Sequence, residues 1–350
     1  MEFDTNSKFK KPTINRRETT LEQNRRVSVL ITTAGRPDML RTALRSVAAQ
    51  TAFHEIAEVI VSENAGDPIS GRICKEFPGL PLTYRLRNPP IPHHKHLSQV
   101  LSETQAPLAA LLFDDDWWSP EHLSLSIERL RDNPTASASL AASFNTRGEF
   151  DQPWSQSSDL FWLGTEMQEF WGTWILDCPK MAVASLFCTP GRYSSLVAPL
   201  ELFREVNLKI ERSGNLFDND RMFFLELTRH GPVAFDPIPR VFIRVHPTAH
   251  SRSFKDVTRQ HRIAQTTEWI INWCEMENID LKEELKRRAK NFTKSPWPRV
   301  LPLIQPAAWR VLRDHKVIPT EWEWPKDSLA KRLRGFAGRL RRWFRERDSR

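Results

Sequence analysis

The sequence predicts an α/β fold: a mostly parallel sheet flanked by helices, with a helical C-terminal extension. Three observations predict it. Short apolar, β-branched runs alternate with amphipathic stretches between residues 27 and 113, the pattern of repeated strand–helix units. Three of those runs end in polar clusters, Thr33 to Arg36, Glu63 to Asp67 and Asp114 to Asp116, and parallel sheets bind ligands beyond the carboxyl ends of their strands. After residue 254 the strand pattern gives way to helical periodicity and a basic end.

Taken in order, residues 1–25 are polar and read as a flexible lead. Val27-Ser-Val-Leu-Ile-Thr32 is a buried strand, and Ala34-Gly-Arg-Pro37 a turn. Pro37 and Asp38 open a helix whose Leu40, Leu44 and Val47 form one apolar face. The second strand is 57–62, the third 82–86 and the fourth 108–113, with a helix over 94–105 before the fourth. His93, His94 and His96 with Lys95 read as an exposed polar loop and helix start, with phosphate contact as the alternative. A helix runs from Pro120 to about Asp132. Residues 145–180 form an irregular segment holding Trp154, Trp162, Trp171 and Trp174, and regular structure resumes near Met181. These tryptophans, with Trp117 and Trp118, are either core residues or faces for a sugar. From Asp256 to Lys290 the chain reads as helical, with Ile263, Ile270, Ile271 and Trp273 apolar, and Pro296 to Pro306 mark a break.

The expected organisation is a lead over 1–25, a main domain over 26–253 with halves 26–120 and 121–253, a helical extension over 254–326 and a basic amphipathic helix over 327–350. The net charge is +8, yet Lys331–Arg350 alone carries nine basic and two acidic residues, so the rest is close to neutral. The basic balance therefore belongs to the tail. There Leu329, Leu333, Phe336, Leu340 and Trp343 make one apolar stripe. Such a helix fits an anionic membrane surface, the protein's own main domain or a partner protein, and nucleic acid is the least favoured. No run of about 18 apolar residues occurs and the N-terminus lacks an apolar stretch, so the expected location is cytoplasmic, peripheral at the inner membrane face if the tail docks there. Cys74, Cys178, Cys188 and Cys274 lack zinc-site spacing and read as reduced thiols.

Leu111-Leu-Phe-Asp-Asp-Asp-Trp-Trp-Ser-Pro120 is the most informative stretch. Three adjacent carboxylates repel one another without a compensating cation. At a strand end they make a seat for a hard divalent metal that bridges to phosphate, the alternative being a solvated acidic turn. The stretch resembles the acidic-cluster region of family 2 glycosyltransferases of the GT-A fold. Val27-Ser-Val-Leu-Ile-Thr-Thr-Ala-Gly-Arg-Pro-Asp38 resembles that family's first strand and nucleotide-contacting turn, and Val59-Ile-Val-Ser-Glu-Asn-Ala-Gly-Asp67 its second strand and base-recognising acid. The similarity spans roughly residues 26–250.

The resemblance implies a metal-dependent, inverting transfer of a sugar from a nucleotide-diphosphate sugar, commonly a UDP-sugar, to an acceptor hydroxyl, with Mn²⁺ or Mg²⁺ as cofactor. The expected acceptor is a polysaccharide, lipid-linked or envelope glycan, the last two suggested by the basic tail if it docks on a membrane. The resemblance places Thr33, Ala34, Arg36, Glu63, Asn64 and Asp114 at the nucleotide. Counting back from Pro120 makes Asp115 the principal metal ligand, whereas literal DxD spacing selects Asp114 and Asp116, and all three stay candidates. Gly231 lies eleven positions after Asp220, which aligns Asp220 with the family's base, with Asp218 next in line. Read without the family, Asp218 is a helix cap and Asp220 a favourable first-turn acid. Arg244 and His246 resemble the family's Arg-x-His segment, which implies His246 as a metal or diphosphate ligand; read without the family, it is equally a surface or structural histidine. The chain departs from the family at Gly35 (often Asn), Glu63 (often Asp), Phe113 and Asn219 (usually acidic). A sugar-phosphate nucleotidyltransferase and a non-catalytic sugar- or nucleotide-binding relative are the alternatives. The first would be expected to carry a glycine-rich phosphate loop, and Gly35 alone does not make one.

Overall fold

The computed structural model describes residues 27–65, 68–146, 150, 157–160, 175–187, 189, 191–212, 219–246, 256–290 and 306–318. The lead, Asp67, Trp154, Trp162, Trp171, Trp174, Cys188, Asp218 and the tail stripe lie outside the described residues.

Four parallel strands open the sheet: β1 (Val27–Thr33), β2 (Ile56–Glu63), β3 (Leu82–Leu86) and β4 (Leu108–Phe113). Helices α1 (Pro37–Ala48), α2 (Ile69–Cys74) and α3 (His93–Glu103) connect them in turn. Beyond β4 come β5 (Trp117–Trp118), α4 (His122–Asp132), β6 (Ala138–Thr146), β7 (Ser157–Leu160), β8 (Ile175–Leu176), α5 (Cys178–Phe187), β9 (Val197–Pro199), α6 (Leu200–Arg212), α7 (Asn219–Thr228) and β10 (Val233–Arg244). The sheet order is β3-β2-β1-β4-β9-β6-β10-β5, with β7 on β6 and β8 on β10. The long ladders, β1 with β2 and β4, β2 with β3, and β6 with β10, are parallel. Short β5, β7, β8 and β9 add antiparallel.

Both faces of the sheet are covered, because successive strand residues point to opposite sides. Val27, Val29 and Ile31 of β1 pack with Leu40, Leu44 and Val47 of α1 on one face. Leu30, Ala109 and Leu111 face the other, with Phe203 of α6 and Met222, Phe223 and Phe224 of α7. Each such side chain contributes about 1.5–3 kcal/mol when fully removed from water.

The C-terminal helices α8 (Asp256–Met276), α9 (Leu281–Lys290) and α10 (Pro306–Asp314) join that second core through Ile263, Ile270, Trp273, Leu285, Trp309 and Leu312. The expected single helix over 256–290 is in fact two. Asn278 takes a left-handed φ of +55°, and Ile279 N donates to Cys274 O at 2.8 Å, which closes α8 with a left-handed cap. Pro306, expected as part of a break, opens α10 instead, where its missing N–H costs nothing. Within the segment expected to be irregular, β7 and β8 form short strands and α5 begins at Cys178 rather than near Met181. Among the described residues no helix is long and apolar enough to cross a membrane.

Candidate functional site

The carboxyl ends of β1, β2 and β4 lie side by side, with Thr33 paired to Glu63 and Thr32 to Phe113. The turn after β1 needs Gly35, whose φ is +70°. Asn also tolerates that conformation, so the departure at this position keeps the backbone options of the turn. The turn brings Gly35 N to 2.7 Å from Glu63 Oε1. Glu63 is fully buried, and its second oxygen, Oε2, has no hydrogen-bond partner. A buried acceptor left open in this way is costly and is suited to a ligand donor. Asn64 faces the 87–92 loop: its Nδ2 donates to Ile91 O and Ile91 N donates to its Oδ1, each at 2.8 Å. Ala34 is exposed at the tip of the turn.

The three aspartates have three different environments. Asp114 is buried, accepts from Thr33 Oγ1 at 2.6 Å and from Arg36 Nε at 3.0 Å, and pairs with the Arg36 guanidinium through its other oxygen. Asp115 is half-buried, with Arg36 Nη1 and His246 Nε2 both 3.1 Å from its Oδ2. Asp116 is buried and accepts from Ser194 Oγ at 2.6 Å and Arg244 N at 3.2 Å. Burial and the neighbouring Asp115 push Asp114 up to about 6 despite Arg36 and Thr33. Asp116 is driven well above the usual carboxylate range by burial and then by Asp115, against its bonds from Ser194 and Arg244. Burial works against the Arg36 charge, yet Asp114, Asp115 and Asp116 together shift its pKa upward. Burial and mutual repulsion both raise Asp114 and Asp116, so an added cation would favour their charged forms.

Strand β10 delivers His246 to Asp115 across 131 residues of chain, with Val245 N donating to Thr146 O at 2.8 Å. Arg244 lies over the Trp117 ring at 4.8 Å, and Trp117 stacks on Phe242 at 5.6 Å. Trp117 and Trp118 are 1% and 2% exposed, so the core reading holds for both. Among the described residues no group of three His, Cys, Asp or Glu side chains forms a metal site. Asp115 and His246 are the pair that could share a cation.

Asp220 lies in the first turn of α7. Gly231, just past that helix, has φ +151°, and a Cβ there would lie 2.1 Å from Thr135 O, so this glycine is required. The turn Tyr193–Ser195, which sequence reasoning missed, stands between Asp220 and the cluster. Ser194 holds Asp116, while the Tyr193 ring packs on Phe223 and Phe224 at 5.1 and 6.0 Å. Burial raises the Tyr193 pKa well above its ordinary value, and the Asp220 charge raises it further. Of the histidines before β4, His96 is 5% exposed inside α3 and bonds Ser62 Oγ at 2.7 Å, rather than lying in an exposed loop. Arg87 donates to the same hydroxyl at 2.9 Å and clamps Glu103 with two bonds.

Comparison with known proteins agrees with this architecture. Residues 28–194 match the family model described as Glycosyl transferase family 2, which bears out the resemblance seen in the sequence. No curated protein matches the chain. Among solved structures, S. aureus TarS 1-349 in complex with UDP-GlcNAc is 14% identical, with a TM-score of 0.53 over 84% of this chain and 82% of that one. S. aureus TarS 1-349 alone gives 13% identity and a TM-score of 0.53 over 84% and 81%. A further S. aureus TarS structure gives 12% and 0.51, and this chain spans about half of it, 49%. The fold is the GT-A type, a mostly parallel mixed sheet flanked by helices.

Proposed function

We propose that this protein is a glycosyltransferase that moves a sugar from a nucleotide-diphosphate donor to an acceptor hydroxyl with inversion. The observation that carries this reading is the meeting of Asp115 and His246, 3.1 Å apart, at the carboxyl edge of the sheet that also presents the open Glu63 oxygen. Two adjacent ligands of an octahedral ion with bonds of about 2.1 Å are separated by about 3 Å, so the pair fits a shared Mn²⁺ or Mg²⁺. Such ions usually take only one or two protein carboxylates and fill their remaining positions with phosphate oxygens and water. When bound, the ion supplies positive charge to the departing diphosphate.

The chain's own groups do the rest. Glu63 Oε2 accepts an N–H from the nucleobase. The turn carrying Thr33, Ala34 and Arg36 lies along the nucleoside, and the Arg36 and Arg244 guanidiniums face the diphosphate. Asp220 takes the acceptor proton while the new C–O bond forms at the anomeric carbon and the bond to diphosphate breaks. A UDP-sugar donor is supported by the structure of S. aureus TarS 1-349 with UDP-GlcNAc. The acceptor class is a polysaccharide, lipid-linked or envelope glycan, and the basic C-terminal stripe is the candidate contact with an anionic membrane.

A thermal-shift screen of UDP, GDP, ADP, CDP and dTDP, each with Mn²⁺ and with EDTA, tests this. One nucleotide should raise the melting temperature only with Mn²⁺, and Asp115→Ala should abolish the shift. No response from the folded protein to any nucleotide overturns the reading.

A further inference from the structure

Asp116 differs from Asp115 in being closed off from solvent and tied to two distant segments. It is 5% exposed, and each of its oxygens accepts a bond from a distant segment, Oδ2 from Ser194 Oγ at 2.6 Å and Oδ1 from Arg244 N at 3.2 Å. Its amide donates to Phe113 O at 3.1 Å, which tightens the acidic turn. Ser194 is fully buried and ties the same turn from the other side. Its Oγ accepts from Phe113 N at 3.2 Å, and its carbonyl accepts from Trp118 Nε1 at 2.6 Å. One carboxylate and one hydroxyl thus join the acidic turn, the 193–195 turn and the end of β10. His246, opposite Asp115, follows Arg244 by two residues, and Tyr193, packed on the helix of Asp220, precedes Ser194 by one.

We propose that Asp116 and Ser194 are a positioning pair: they hold His246 opposite Asp115 and the Tyr193 turn against the Asp220 helix, and Asp116 is not itself a cation ligand. The proposal rests on the reading of the site given above. Each Asp116 oxygen keeps a second lone pair, but the residue is only 5% exposed, whereas the Asp115 side chain is 19% exposed and is the one an arriving ion reaches. Buried networks of this kind orient ligands, and losing a member typically costs about 10–100-fold in metal affinity or activity. Asp116 and Ser194 share one hydrogen bond, so their losses should not add.

The test uses the full chain and the variants Asp116→Asn, Ser194→Ala, their double, and Asp115→Asn as the ligand reference. Free Mn²⁺ is followed by electron paramagnetic resonance during titration in the presence of UDP, and melting temperatures are recorded without ligand. Asp116→Asn and Ser194→Ala should each raise the Mn²⁺ dissociation constant about 10-fold. The double should bind about as weakly as the weaker single, and Asp115→Asn should bind far more weakly than any of them. Two results overturn the pair. In one, Asp116→Asn is as damaging as Asp115→Asn while Ser194→Ala binds normally, making Asp116 a ligand. In the other, both variants melt lower yet bind Mn²⁺ normally, making the pair purely structural. Absence of UDP-dependent Mn²⁺ binding by the unaltered protein removes the site reading first, and the pair with it.

Discussion

Two buried acidic regions on the same sheet have opposite surroundings. Asp236 of β10 is 1% exposed and meets Arg129 at 2.8 Å, Arg240 at 3.1 Å and Ile238 N at 2.9 Å. One carboxylate there has two guanidiniums and an amide. At Asp114–Asp116 three carboxylates adjoin: Arg36 pairs with Asp114 and Asp115, Arg192 acts on Asp116 and Arg244 reaches the Asp115 carbonyl, yet Asp114 and Asp116 are both pushed upward. A buried carboxylate by itself therefore does not mark a site. The mark is a set of adjacent carboxylates that burial and one another push upward.

Substitution in each region should separate these roles, and the largest effect belongs to the three-aspartate cluster. Asp115→Ala should lower sugar transfer by about 10³-fold or more, since the metal-borne charge stabilisation is worth several kcal/mol. Its melting temperature without ligand should hold or rise, because a like charge is gone. A clear fall in stability with transfer intact would put Asp115 in the same category as Asp236. The mirror experiment is Asp236→Ala, which should cost on the order of 3 kcal/mol in chemical denaturation, reduced from a fully buried pair because both arginines are partly exposed. UDP-dependent Mn²⁺ binding should survive at temperatures where the variant is folded.

Asp220→Asn should lower kcat on the order of 10²-fold while leaving UDP and Mn²⁺ binding unchanged. Unchanged turnover would remove Asp220 as the base. The smallest effect comes from His122, stacked at 4.8 Å on Trp118, fully buried, with neither ring nitrogen hydrogen-bonded. Burial, then Arg129 and Arg240, pull its pKa from 6.5 down to about 3. The unfolded chain binds this proton more readily, so His122 adds stability above the unfolded pKa. That contribution is lost as pH falls from 6.5 toward 3, by at most about 1.4 kcal/mol per pH unit. Denaturation of His122→Phe at pH 7 and pH 5 should show a flatter dependence than the unaltered protein, and equal slopes would contradict the assignment.

The first half of the main domain was largely legible in the sequence because its information is local. Strands β1, β2 and β4 are short, mostly apolar runs, and α1 announces itself by Pro37, Asp38 and a spaced apolar face. The other half depends on contacts that no local pattern carries. β9 is three residues long and ends in a proline, yet it fills the gap between β4 and β6. Pro237 and Pro239 argue against a strand, and β10 accommodates them where its register shifts between Asp236 and Val241. In the site, Asp115 and Glu63 followed from strand ends. Ser194 carried no signal, since a serine in a turn gains its role only from a carboxylate 78 residues away.

The reciprocal bonds between Asn64 and Ile91 bear on how fast the site fills. They tie the segment after Glu63 to the 87–92 loop in the unliganded chain. On the proposed reading, a nucleoside arriving at Glu63 meets this stretch of the wall already tied. At that contact no ordering step is expected, so selectivity among nucleotides should show up in how long each stays.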